Sequence, residues 1–355
     1  MRPSNPTHPT PPRSEDDRLD WLRLIRSRRV GAVTFHRLLA EHGSAAAALA
    51  ALPDVARAAG VTEYSVCPVE VARAEFAEAR ASGAVPVFFG EAGYPALLAD
   101  LSDAPPLIWT QGDLGLLSRP MVALVGARNA SSLGVRMARR LAEGLGEAGF
   151  VVVSGLARGI DAAAHEAALP TGTIAVQAGG VDVIYPEENA PLAESLRRQG
   201  LRLSEQPMGL SPQTRHFPLR NRIISGLCRA VIVVEAAARS GSLITARSAA
   251  DQGREVMAVP GHPFDARASG CNMLIRDGAT LIRSPADVLE ALGAAPAAVA
   301  DDIRDKPDPL PGPVPAPRAP AETAELHSRI LSRLGPSPLA EDQLIRDLSM
   351  PPAHL

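Results

Sequence analysis

The chain has 355 residues, 46% of them hydrophobic and 21% charged, with a formal net charge of −3. That is room for two or three domains around a sizeable core, and it excludes a polycation that binds polyanions by bulk charge, so any nucleic-acid site must be a local basic patch. Lys306 is the only lysine, which leaves 35 of the 36 basic residues as arginine and excludes a Walker A loop or a Schiff-base lysine in the folded core.

GC-rich codon usage explains most of that arginine bias, although guanidinium groups also suit planar, bidentate contact with phosphate. Cys67, Cys228 and Cys271 are far apart and form no CxxC pair, so neither a disulfide framework nor a zinc site is expected, and a reducing cytoplasm fits best. No run of about 18 apolar residues occurs, which predicts a soluble cytoplasmic protein without a membrane span.

Residues 1–17 are Pro-rich and polar and are expected as a disordered tail. Residues 18–85 predict a small all-α domain. Its amphipathic segments begin at Leu19, run over Thr34–Glu41 to a C-cap at Gly43, and continue over Ala45–Leu52 and Val69–Ala81. Residues 86–120 are expected as a connector that opens with a short strand over Val85–Phe89 and is crossed by Tyr94-Pro95 and Pro105-Pro106.

From 121 to 295, apolar runs of strand length alternate with helical periods. Strands are predicted over Met121–Val125, Phe150–Val153, Thr173–Gln177, Leu201–Glu205, Ala230–Val234, Glu255–Val259 and Thr280–Ile282. The intervening helices are Ser132–Ala148, Ile160–Ala168, Ala190–Gln199, Leu219–Gly226, Ser242–Gln252, Asn272–Arg276 and Pro285–Leu292. Such alternation means parallel βαβ units: an α/β, Rossmann-like, doubly wound parallel sheet. Residues 296–322 form a Pro/Ala-rich linker, and 323–355 carry a helical pair, Glu325–Leu334 and Leu339–Leu348.

Ligands of such sheets bind at the carboxyl ends of the strands. After the first predicted strand of that sheet, Gly126, Arg128 and Ser131 combine a tight turn, a cation and a helix start that suits an anion. The pattern is not GxGxxG, and the next strand ends in Ser154-Gly155 without an acidic residue for a ribose, so no dinucleotide cofactor is expected. Gly155 and Arg158 repeat the glycine-plus-arginine pattern. Asp161 reads mainly as a helix-start residue, and with His165 one turn later it forms a structural polar pair in preference to a metal site.

The segment Arg215-His216-Phe217-Pro218-Leu219-Arg220-Asn221-Arg222 sets three arginines beside a ring in a chain that is only 3% aromatic. Arginines for phosphates and a ring for base stacking suit single-stranded nucleic acid. A solvated helix start with Phe217 in the core fits the spacing equally well. Arg239, Ser240, Gly241 and Ser242 again offer a cation at a helix N-terminus. Arg128, Arg158, Arg220 or Arg222, and Arg239 therefore fall at one edge of the sheet. No GxSxG elbow or paired acid and base is present beyond an isolated Glu235, so no catalytic residue is expected.

These stretches together resemble the DNA-processing protein A family (DprA, also called Smf). The motifs are Val122-Ala-Leu-Val-Gly-Ala-Arg128, Val153-Ser-Gly-Leu-Ala-Arg-Gly-Ile-Asp161, Gly179-Gly180 through Tyr185-Pro186, Phe217-Pro-Leu-Arg-Asn-Arg-Ile-Ile224 and Ser240-Gly-Ser-Leu-Ile-Thr-Ala246. Val259-Pro260-Gly261 and Gly270 through Ala279 complete the set, and the resemblance spans about residues 18–295.

It implies an extended Rossmann domain that binds single-stranded DNA, forms a homodimer and loads the RecA recombinase during DNA-mediated transformation. Arg128, Phe217, Arg220 and Arg222 match the family's DNA-contact positions, with Arg215 standing where some relatives carry a lysine. The resemblance also implies a sterile-alpha-motif-like N-terminal module and a winged-helix-like C-terminal segment, here expected to be incomplete. Two other readings remain open: a nucleotide phosphoribohydrolase of the lysine-decarboxylase-like group, whose Pro-Gly-Gly-x-Gly-Thr run is missing here, and a protein-binding scaffold.

Overall fold

A computed structural model describes residues 10–293. The expected linker and the helices at 325–334 and 339–348 lie outside them. Four helices come first: α1 (Glu15–Arg26), α2 (Ala32–His42), α3 (Ala45–Ala58) and α4 (Val69–Ser82). The first begins inside the segment expected as tail, because Ser14 caps it. The Ser14 hydroxyl accepts from the Asp17 N–H while the Asp17 carboxylate accepts from the Ser14 N–H, and Glu15, Asp16 and Asp17 favour the positive end of the helix dipole. What reads as tail charge is first-turn charge.

The segment expected as a connector folds into regular structure. Strand β1 (Val85–Phe88) pairs antiparallel with β2 (Leu107–Gly112), with helix α5 (Ala96–Ala99) between them. Then follow β3 (Met121–Val125), α6 (Ser132–Glu147), β4 (Val151–Ser154), α7 (Ile160–Ala168), β5 (Thr173–Val176), α8 (Ala190–Gln199) and β6 (Leu201–Ser204). The chain continues with α9 (His216–Leu227), β7 (Ala230–Val233), α10 (Ser242–Asp251), β8 (Glu255–Ala258), α11 (Ser269–Arg276), β9 (Thr280–Leu281) and α12 (Pro285–Ala291).

Among the described residues, all nine strands join one sheet in the order β1-β2-β6-β5-β4-β3-β7-β8-β9. Every pairing from β6 to β9 is parallel, whereas β1–β2 and β2–β6 are antiparallel, so β2 alone runs against the other strands. The strand order reverses between β3 and β7, which is the topological switch point where such sheets bind ligands.

Strands β3 to β7 are buried on both faces, as parallel strands covered by helices must be. Side chains alternate between two cores. Val122, Leu124 and Val152 pack with Leu141 of α6 and Ala164 of α7. Ala123, Val125 and Val153 face the other way, toward Ile223 of α9, Ala249 of α10 and the aromatic cluster of the helical domain, where Trp21 meets Phe35 and Phe88 edge-on.

The helical domain is also tied to the sheet by a buried polar chain. The indole N–H of Trp109, in β2, donates to Glu75 of α4 at 2.8 Å. Arg26 of α1 clamps the same carboxylate through two hydrogen bonds of 2.9 and 2.8 Å and reaches the Glu205 carbonyl. No helix among the described residues is long and apolar enough to cross a membrane.

Candidate nucleic-acid interface

The loops after β3, β4 and β7 and the start of α9 surround a cleft of about 770 Å³ at the switch point. Gly126, Arg128, Phe217, Arg220, Arg239 and Ser242 are among its lining residues. The Arg128 guanidinium lies over the Phe217 ring, 5.3 Å from its centre, and Arg220 lies 5.9 Å from the same ring. Tyr185 adds a tilted ring at 5.8 Å. Helix α9 starts at His216, earlier than its spacing predicts, with Pro218 in the first turn where a missing N–H is harmless. Phe217 therefore projects from a helix start at the cleft and stays half-buried.

Arg220 is buried beneath that ring. It donates to the carbonyls of Gly155 at 2.6 Å and Val176 at 2.5 Å, and so joins the carboxyl ends of β4 and β5. Any side chain on Gly155 would strike the Arg220 guanidinium at 2.4 Å, which explains the glycine. Burial holds the Arg220 pKa down at about 10, partly offset by Asp161 nearby. Asn221, expected as a contact, is also buried. Its side chain accepts from Arg220 at 3.2 Å and reaches the Gly241 carbonyl.

Four of the expected contacts lie elsewhere or are already engaged. Arg222 does not reach the cleft. It lies on another side of α9, where it pairs with Glu205 at 2.5 Å and donates to the Asp103 carbonyl at 2.7 Å, with its guanidinium also 3.4 Å from the Asp103 carboxylate. Arg220 and Arg222 are two residues apart on a helix and so point to different sides, a consequence of the 3.6-residue period. Ser131 is not an open anion site either. Its N–H and hydroxyl both donate to the Glu235 carboxylate, at 2.8 and 2.5 Å, so a carboxylate of the chain itself occupies the α6 N-terminus. Arg158 pairs with Glu188 at 3.2 Å and, like Arg215, is exposed outside the cleft lining; Arg215 donates to His216 at 3.3 Å.

Arg128 and Arg239 are exposed at the cleft with no ion pair among the described residues. Ser240 and Ser242 share a hydroxyl hydrogen bond of 2.6 Å at the start of α10, beside Gly241. Tyr185, Asn129, Thr214, Ile244 and Arg267 also line the cleft, although spacing did not mark them as contacts. Tyr185 and Arg267 lie within loops that sequence reading brought only to the edge of the sheet.

Asp161 and His165 do not bond to each other. The Asp161 carboxylate accepts from the N–H groups of Gly155 and Ala157 at 3.1 and 3.3 Å, which fixes the β4 loop. Burial raises its pKa against the lowering pull of Arg220. His165 Nδ1 lies 2.7 Å from the Thr173 hydroxyl, which itself donates to the Val152 carbonyl. Thr173 therefore accepts from Nδ1–H, and the buried Nε2 lone pair has no partner. Burial and the nearby Arg220 hold the His165 pKa at about 3. No group of three or more potential metal ligands occurs among the described residues.

The family model for DNA recombination-mediator protein A matches residues 86–293, and the DprA-like N-terminal HHH domain and the DprA winged helix domain match 15–78 and 314–355. This chain belongs to the DprA/Smf family of DNA-processing proteins. The DprA of Streptococcus pneumoniae is 50% identical over 198 residues, 55% of this chain and 70% of that protein. The Escherichia coli Smf protein is 46% identical over 202 residues, 56% of this chain and 54% of that one.

Among solved structures, S. pneumoniae DprA superposes with a TM-score of 0.65 at 38% identity, covering 76% of this chain and 97% of that one. The DprA of Helicobacter pylori, whose structure is described for its single-stranded DNA binding mode, gives a TM-score of 0.55 at 31% identity, covering 59% of this chain and 95% of that one. The model matching the N-terminal helices is named for an HHH domain, where the resemblance had implied a sterile-alpha-motif-like module.

Proposed function

We propose that this DprA-family chain binds single-stranded DNA in the switch-point cleft and acts, as a cytoplasmic homodimer and without catalysis, as a recombination mediator. It would protect incoming strands and load the RecA recombinase during DNA-mediated transformation. The observation that carries the DNA-binding part is the Arg128–Phe217 unit at the mouth of the cleft: an exposed guanidinium beside a ring, with Arg239 on the opposite loop. A base stacks on the ring regardless of its identity while the cations take phosphates, so sequence preference should be slight. The H. pylori relative's DNA-binding description supports the same reading. The RecA and dimer partners rest on family membership.

The phosphoribohydrolase reading is not favoured. It needs a glutamate free to act on a nucleotide, and the Glu235 carboxylate is tied to Ser131 at the α6 start.

A gel shift on oligo-dT, with and without Arg128→Ala, tests the proposal. Binding by the wild type and a marked loss in the variant are expected; no binding by the wild type contradicts it. Release of free base from nucleotides would instead establish an enzyme.

A further inference from the structure

Phe264 is 85% exposed, far beyond Val33, the next most exposed large apolar side chain among the described residues at 58%. Its ring lies against His262, with centroids 5.6 Å apart and planes at 40°. The loop that carries it is internally fixed. The Phe264 N–H donates to His262 Nδ1 at 3.3 Å and the Asp265 N–H to the His262 carbonyl at 2.9 Å. Asp265 then holds Arg267 through its guanidinium at 3.1 and 3.0 Å. Asn272 grips both the N–H and the carbonyl of Gly261, at 3.1 and 2.9 Å. A ring displayed on so constrained a loop is presented to solvent, not left there by a wandering chain.

The same loop forms part of the cleft wall. Arg267, three residues after Phe264, lines the cleft. The Ala238 N–H donates to the Ser269 hydroxyl at 3.0 Å and the Gly270 N–H to the Ala236 carbonyl at 2.8 Å, which binds the loop to the segment carrying Arg239. A polynucleotide leaving Phe217 across Arg239 and Arg267 would meet a second aromatic face.

Building on the single-stranded DNA reading, we propose that Phe264, backed by His262, is a second base-stacking platform of this chain, one that engages a nucleobase after the strand has left the cleft. Base–ring stacking is sequence-tolerant, so the platform lengthens the binding site without adding sequence preference. It takes single-stranded nucleic acid only, because paired bases present no free face.

The test is an anisotropy series on oligo-dT of increasing length at fixed salt, with wild type, Phe217→Ala, Phe264→Ala and Phe264→Trp. Because the Phe264 ring is solvent-exposed, unchanged thermal melting of its variants is expected. Phe264→Ala should match the wild type on the shortest oligonucleotides that bind and fall about tenfold behind on longer ones. Phe264→Trp should restore the affinity. Trp21 and Trp109 are both buried, so the added exposed indole should give an emission that long oligonucleotides quench.

Equal affinity of Phe264→Ala and the wild type at every length, with Phe217→Ala weakened, overturns the second platform and leaves the cleft reading standing. A wild type that binds no oligonucleotide overturns the underlying reading, and the platform with it.

Discussion

The guanidinium of Arg128 and the ring of Phe217 lie 5.3 Å apart, although 89 residues separate them in the chain. The loop after β3 and the first turn of α9 thus present one cation and one aromatic face side by side. The two contribute differently to binding, which makes them separable. Phe217→Ala should weaken oligo-dT binding by about 1–3 kcal/mol and leave the slope of log K against log salt unchanged, because no charge is lost. Fluorescence titrations at several salt concentrations measure both quantities.

Arg222 should matter for stability and not for the salt slope. Its side chain is 14% exposed and that of Glu205 is 17%, and removing one partner of such a pair leaves the other charge buried alone. Arg222→Ala should cost about 3 kcal/mol in urea unfolding. Burial already raises the Glu205 pKa, and Arg222 pulls it back down. Without Arg222 the folded-state value rises further above the unfolded one, so the folded state binds the extra proton. The variant should therefore recover stability as the pH falls through that raised value toward 4.5. A variant equally unstable at all pH values would contradict the pairing.

His165 makes the fold acid-sensitive in the opposite sense. Its pKa is about 3 in the folded protein against 6.5 for the free side chain, so the unfolded chain binds the proton first. The stability contribution is complete above 6.5 and is lost as the pH falls toward 3. By pH 4.5 the loss should reach about 2–3 kcal/mol. His165→Leu, though less stable at neutral pH through loss of the Thr173 hydrogen bond, should show a flatter stability profile between pH 7 and 4.5. Parallel profiles for the two proteins would assign the acid sensitivity elsewhere.

Glu235→Ala removes the carboxylate that receives the Ser131 N–H and hydroxyl. A cost of about 1–2 kcal/mol in thermal or urea unfolding is expected, as for the loss of a helix N-terminal partner. Oligo-dT affinity should not fall, since the group is engaged within the chain.

Much of the sheet was legible because buried parallel strands are short apolar runs, and those from Met121 onward stand out from the helical periods between them. The strand Leu107–Gly112 was not. It follows Pro105-Pro106, includes Thr110 and Gln111, and owes its place to long-range pairing with β1 and β6. For the candidate site, sequence located the loops but not the direction of their side chains. Arg128 and Arg222 look alike as arginines near Phe217, yet one is open at the cleft and the other sealed against Glu205 and Asp103. Ser131 reads as an anion site until Glu235, 104 residues on, is found bound to it.

The most direct experiment is oligo-dT titration across a salt series for wild type, Arg128→Ala, Arg239→Ala and Arg222→Ala. Wild-type affinity should fall steeply as salt rises. Arg128→Ala and Arg239→Ala should each reduce the slope magnitude by about 0.7, the value for one phosphate contact on a single strand, while folded Arg222→Ala keeps the wild-type slope. A wild type whose affinity ignores salt, or slopes that respond to Arg222 and not to Arg128 and Arg239, would contradict a strand held in the switch-point cleft.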